Sequence, residues 1–387
     1  MRRTLAISIL ACLAACGEAP ATPPKVVFDT VGGVIHVRNS PVGQWGDRDA
    51  WVTRRTARIG AVEAPEEALF TNRVMTPSLG PDGYVYVLEY SNPRVAIFDR
   101  EGEFVEQLGR RGRGPGEFLA PTGLTWDAYG RLWVADAWGP RYSVYDSDRT
   151  FLGTRERPVT VVRRQQHQMT TLADGSIVDE SSDTPMLYFL AVDSASGMVD
   201  TIASVRRPER PRELDSVFPG RESVLSEVLG NYMPSVEWAM SSNGTYWVGS
   251  TATLELLHLA SPSDTLRIVR SSHRNADLDP GERDLILEAE REAGLDAGGL
   301  GAVKNLFAGL HMLDSGHLLV ELVEAGASER SQFDVFDPEG RYLGVLELSF
   351  RVASGSVLTS RGDTIVGVEV DSMDVPFVVI DVIERPR

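Results

Sequence analysis

Tyr129-Gly130-Arg131-Leu132-Trp133-Val134 decides the reading of this chain, because its pattern of a turn glycine followed by apolar residues occurs six times. The other copies are Asp82-Gly83-Tyr84-Val85-Tyr86-Val87, Asp174-Gly175-Ser176-Ile177-Val178, Asn243-Gly244-Thr245-Tyr246-Trp247-Val248, Ser315-Gly316-His317-Leu318-Leu319-Val320 and Arg361-Gly362-Asp363-Thr364-Ile365-Val366. The glycine supplies the positive φ of a tight hairpin, and β-branched or aromatic residues follow where a strand has to pack.

From Gly83 the successive glycine spacings are 47, 45, 69, 72 and 46 residues, so a base period near 46 recurs. A β-rich repeat of about 40 to 50 residues is the range of propeller blades. Each unit adds a third strand ending in an acidic turn, as in Val95 to Asp99, Tyr142 to Asp146 and Phe333 to Asp337, and a fourth such as Phe104 to Leu108. The expected fold is therefore all-β, a six-bladed β-propeller of four-stranded antiparallel blades. An open edge strand invites aggregation, so the ring has to close. Either Val26 to Val37 or Trp51 to Ile59 is expected to complete the last blade, whose own strands run from about Phe350 to Ile383. The two long spacings place insertions at about 203–234 and 271–305. The second opens with Asp279-Pro280-Gly281-Glu282, a helix N-cap, a first-turn proline and a glutamate reaching back; the first holds a shorter helical candidate from Glu222 to Leu229.

Ahead of the repeats stand Arg2 and Arg3, an apolar run from Leu5 to Ala15, and Leu13-Ala14-Ala15-Cys16. Eleven apolar or small residues are too few for a bilayer that needs about 20 in a helix. The segment reads as a secretory signal over residues 1–15 ending in a lipobox, and it resembles the start of bacterial lipoproteins, which implies acylation of Cys16. Residues 16–24 form a proline-stiffened tether, and 25–387 the propeller. Cys12 and Cys16 are the two cysteines, so no disulfide framework is available to the mature chain.

The stretch Pro121-Thr122-Gly123-Leu124, Gly130 to Asp136, Arg141 to Asp146 and Phe151-Leu152-Gly153 resembles an NHL repeat, and Leu108 to Phe118 is similar to the linker between such repeats. The whole resembles the six-bladed propeller lipoproteins of bacteria. This resemblance implies a cell-envelope protein on the periplasmic or outer-surface side.

The 387 residues carry a formal charge of -17, which excludes a chain that works by neutralising nucleic-acid phosphates. In antiparallel blades the glycine turns share one face, and the links from second to third and from fourth to first strand share the other. Loops on a rigid scaffold usually carry function, so the site is expected on that loop face, around the channel mouth, beneath the insertions. Its candidate residues are Glu89 with Arg94, Asp136 with Arg141, Trp138, and Arg110 and Arg113 of the glycine-rich link. The links are rich in arginine, including Arg111, Arg155, Arg157, Arg163, Arg164, Arg206, Arg207, Arg210 and Arg212, and guanidinium forks suit carboxylates and phosphates, so an anionic ligand is the sharper reading. The plainer reading is solvated loops paired with Glu117, Glu156, Glu209 and Glu213, and blade-stabilising pairs at Glu89–Arg94 and Asp136–Arg141.

Six histidines stand at no metal-ligand spacing, Asn275, Asp277 and Asp279 fail the calcium-loop pattern at Pro280 and Ile286, and no GxSxG elbow is present. No cofactor is expected from the motifs; a channel metal held by different blades would leave no such spacing and stays open here. The expected function is a monomeric, lipid-anchored module whose loop face binds a protein, peptide or glycan. The alternative is a metal-dependent lyase or lactonase-type propeller, which the chain resembles in outline.

Overall fold

The computed structural model describes residues 25–46, 49–60, 69–70, 75–158, 169–183, 186–208, 228, 231–272, 277–296, 298, 304–323, 329–353 and 356–386. Three sequence expectations fall wholly or largely outside these residues. They are the signal with Cys16 and its tether, the arginines at 163, 164, 210 and 212, and the helix expected from Glu222 to Leu229, where Val228 alone is described.

A hairpin of β1 (Val26–Val31) and β2 (Val34–Asn39) comes first, then β3 (Val52–Ile59). Blade 1 is β4 (Met75–Leu79), β5 (Val85–Glu89), β6 (Arg94–Phe98) and β7 (Phe104–Leu108). Blade 2 is β8 (Pro121–Trp126), β9 (Leu132–Asp136), β10 (Arg141–Tyr145) and β11 (Phe151–Glu156). Blade 3 is β12 (Thr170–Thr171), β13 (Ile177–Asp183), β14 (Met186–Val192) and β15 (Val199–Arg206). Blade 4 is β16 (Val236–Met240), β17 (Tyr246–Ser250), β18 (Glu255–Ser261) and β19 (Asp264–Ser271), after which comes helix α1 (Pro280–Ala293). Blade 5 is β20 (Phe307–Met312), β21 (Leu318–Leu322), β22 (Gln332–Phe336) and β23 (Tyr342–Glu347). Blade 6 is β24 (Thr359–Arg361), β25 (Thr364–Val370) and β26 (Pro376–Glu384), completed by β3 as its outer strand.

The six repeat glycines, Gly83, Gly130, Gly175, Gly244, Gly316 and Gly362, all have positive φ, from 59° to 89°, as the hairpin reading requires. A second sixfold feature has no signature in the sequence. In every blade the pairing of the third strand with the fourth shifts by one residue, so each outer strand carries a bulge that increases its twist. β3 carries such a bulge too, so the segment that closes the ring shares this feature of the other outer strands.

Six apolar clusters fill the six interfaces between blades. The second strands lie between two such clusters, which is why β5 reads as a continuous buried run, Val85 and Val87 facing blade 6 while Tyr86 and Leu88 face blade 2. Outer strands face solvent on one side and alternate, as β7 does.

The N-terminal region does more than close the ring. β2 joins β19 in parallel, extending blade 4 to six strands, and Trp45 N–H donates to Leu343 O on β23 at 2.8 Å. Residues 26–46 and 51–59 thus lie along the rims of blades 4, 5 and 6. Gly344 makes room for them, since a Cβ there would meet the Trp45 ring at 2.5 Å.

Helix α1 has the capping box expected of Asp279 and Glu282, and Gly294 caps its far end at φ 69°. Ile286 and Ala289 pack on Val228 and Tyr232, so the two insertions share a small core of their own. Asn305 N–H donates to Asn231 O, and Leu306 N–H to Thr251 O in the turn after β17. These bonds tie the described ends of the insertions to each other and to blade 4 on the loop face.

Candidate functional site

The loop-face candidates separate into two groups. Glu89 and Arg94 form a buried ion pair at 2.6 Å, and Arg94 also donates to Gln107 Oε1 and Leu69 O. The fully buried Asp136 carboxylate accepts the backbone N–H groups of Leu119, Ala120, Trp138 and Gly139 at 2.7 to 3.4 Å. Arg141 directs its fork to the carbonyls of Arg113, Gly114 and Glu117, at 2.6 Å for the last. These four residues brace the loops. Arg110, Arg113 and Trp138 are exposed, Trp138 to 71%.

The glycine-rich link is an anion cradle that its own chain fills. Glu117 accepts from Gly114 N–H at 2.8 Å and from Arg110 Nε at 2.9 Å, and these contacts, the Gly114 bond foremost, hold its carboxyl below the ordinary range. A Cβ on Gly112 would overlap that carboxylate and one on Gly109 would overlap the Phe118 ring, so these glycines make room for protein rather than for a phosphate. Arg157 is likewise internal. Its fork meets the buried Asp179 at 2.6 and 2.9 Å, Asp179 also accepts from Tyr142 Oη at 2.7 Å, and burial above all pushes the Tyr142 hydroxyl up. Asp179 interrupts the apolar pattern after Gly175 because it has this partner in blade 2.

A cavity of about 560 Å³ occupies the channel at the opposite mouth, among the glycine turns. Its lining comes mainly from the inner strands of all six blades and their following turns, including Ser78, Thr125, Trp126, Thr170, Thr171, Ser241, Ser242, Asn243, Thr245, Asp314, Ser360 and Arg361, with Trp247 and His258 added from the second and third strands of blade 4. This cavity has no signature in the sequence, because isolated serines and threonines on separate strands form no motif. Part of the hydroxyl ring is structural. Thr125 bonds Thr171 across blades 2 and 3 at 3.1 Å, Thr359 donates to Pro77 O of blade 1 at 2.7 Å, and Ser360 donates to Met312 O of blade 5 at 3.2 Å. The side-chain hydroxyls of Ser78, Thr170, Ser241 and Ser242 bond nothing among the described residues.

Among the described residues no group of three or more histidines, cysteines, aspartates or glutamates is arranged to hold a metal ion.

Comparison with known proteins supports the fold. The DUF5128 model, described as a 6-bladed beta-propeller, matches residues 80–196. No curated protein matches the chain in sequence. A Bacteroides fragilis protein named as exported is 12% identical with a TM-score of 0.51, over 90% of this chain and 100% of its own. A DUF4221 family member from Bacteroides vulgatus is 10% identical with a TM-score of 0.50, over 88% and 100%.

Proposed function

We propose that the protein is an exported, lipid-anchored binding module whose small-molecule site is the turn-face mouth of the propeller channel. The observation that carries this reading is the cavity itself, a concave space of ligand size walled by polar groups from six blades. The hydroxyl donors and acceptors there suit recognition. Export is supported by the signal-like start of the sequence and agrees with the naming of the similar Bacteroides fragilis protein. Among the described residues no helix is long and apolar enough to cross a membrane, so an acylated Cys16 is the anchor this reading requires.

The NHL-like character of residues 72–153 belongs to the same proposal, as does a partner surface at Arg110, Arg113 and Trp138. That surface is favoured by the exposure of Trp138 beside a loop rich in guanidinium groups.

Two measurements test the reading. Mass spectrometry of the membrane fraction should find acyl chains on Cys16, and Cys16→Ser should release the protein to the soluble fraction. A thermal-shift screen of small polar metabolites should raise the melting temperature of the wild type and leave Ser242→Trp, which fills the mouth, unmoved. Equal shifts in both would remove the channel from the account.

A further inference from the structure

We infer that the ligand of the channel mouth is a neutral saccharide. The inference rests on the channel being the binding site, and it names what that site accepts.

Charge is the first selector. Asp314 accepts Gly362 N–H at 2.7 Å, and Arg361 Nε donates to Leu79 O at 2.8 Å, so the two full charges of the rim offset one another and are tied to backbone. His258 stacks on Trp247 with centroids 4.4 Å apart, and burial, reinforced by Arg267, lowers its pKa to about 4. A charged ligand entering here would lose water with no unopposed counter-charge to meet.

Hydroxyl chemistry is the second. The unpartnered hydroxyls of Ser78, Thr170, Ser241 and Ser242 can each donate or accept by rotating. Sugar hydroxyls have the same dual character, so they can pair with this wall in many orientations. An apolar ligand would bury these groups unpaired, which disfavours it.

A fixed amide is the third. The Arg267 guanidinium, which has no lone pair to offer, donates to His258 Nδ1 at 3.2 Å, so the neutral ring carries its proton on Nε2 and donates to Thr245 Oγ1 at 3.0 Å. Thr245 Oγ1–H in turn donates to Asn243 Oδ1 at 2.9 Å, and Thr245 N–H reaches the same oxygen at 3.0 Å. The amide oxygen of Asn243 is engaged and its NH2 is left to donate to a ligand. A positioned amide donor beside rotatable hydroxyls combines the contacts that the hydroxyls of a sugar ring use.

The test is calorimetric titration of the purified full chain in detergent with glucose, galactose, N-acetylglucosamine, maltose and glucuronic acid, alongside Thr170→Val, Ser242→Ala and the loop-face variant Arg330→Gln, whose side chain is exposed between β21 and β22. At least one neutral sugar should bind with a Kd below about 1 mM, weaken tenfold or more in the two channel variants, and bind Arg330→Gln unchanged. No binding to folded protein, or a preference for glucuronic acid, overturns the inference. Native mass spectrometry of chain purified from cells separates the two levels. A non-sugar ligand lost in both channel variants overturns the saccharide and keeps the site, whereas sugar binding that survives both variants overturns the site itself.

Discussion

The link from Gly109 to Phe118 and the mouth of the channel are built from opposite materials. The link is dense in charge, with Glu117 seated on Gly114 N–H and Arg110 while Arg141 gathers the loop carbonyls. The mouth is nearly neutral, and several of its hydroxyls have no partner among the described residues. Among the described residues, the Glu117 carboxylate and the Arg141 guanidinium brace the link, whereas the unpartnered groups of the mouth are uncharged. Substitutions on the loop side should therefore cost stability and spare small-molecule binding, while substitutions at the mouth should do the reverse.

The sharpest break is Asp179→Ala, which leaves Arg157 buried without its carboxylate. A loss of about 3–5 kcal/mol is expected in chemical denaturation. The double variant Arg157→Met with Asp179→Leu should recover most of it, since no uncompensated charge then remains. Next comes Gly109→Ala, where φ is 72° and the new Cβ strikes the buried Phe118 ring; about 2–3 kcal/mol should be lost.

His258 is expected to contribute pH dependence from the turn side. Its folded pKa of about 4 lies below the ordinary 6.5, so protons favour the unfolded chain, and stability present at neutral pH is lost as pH falls below 6.5 toward 4. Between pH 7 and 5 this amounts to about 2 kcal/mol, seen as the difference between wild type and His258→Gln in parallel melts. Glu117 acts in the same direction at lower pH. Its carboxyl is held below the ordinary range, so its contribution is present above that range and disappears as pH drops through the folded value.

Thr170→Val should have the smallest effect on stability, within about 0.5 kcal/mol, because its hydroxyl bonds nothing among the described residues. Sugar titration of the same variant should nonetheless show its affinity reduced.

The ring was legible because it is made locally. Each blade announces itself through a glycine that must adopt positive φ and the apolar strand beside it, and Trp51 to Ile59 was visible as a spare strand for the last blade. What escaped depends on distant partners. Nothing in Val26 to Asn39 says that it will join the edge of β19 in parallel, or that Trp45 will lie over Gly344 three hundred residues on. The acid at Asp179 looks out of place until Arg157 and Tyr142 arrive from the neighbouring blade. The mouth is hardest to see, since Ser78, Thr170 and Ser242 converge only when six inner strands share one axis.

Hydrogen–deuterium exchange in the presence of the tightest-binding sugar of the panel tests the central claim most directly, because it reports which face the ligand covers. Protection should appear at residues 76–79, 169–171, 241–245 and 359–361, with 109–117 and 137–141 unchanged. Protection confined to those last two segments would contradict the account and return the site to the loop face.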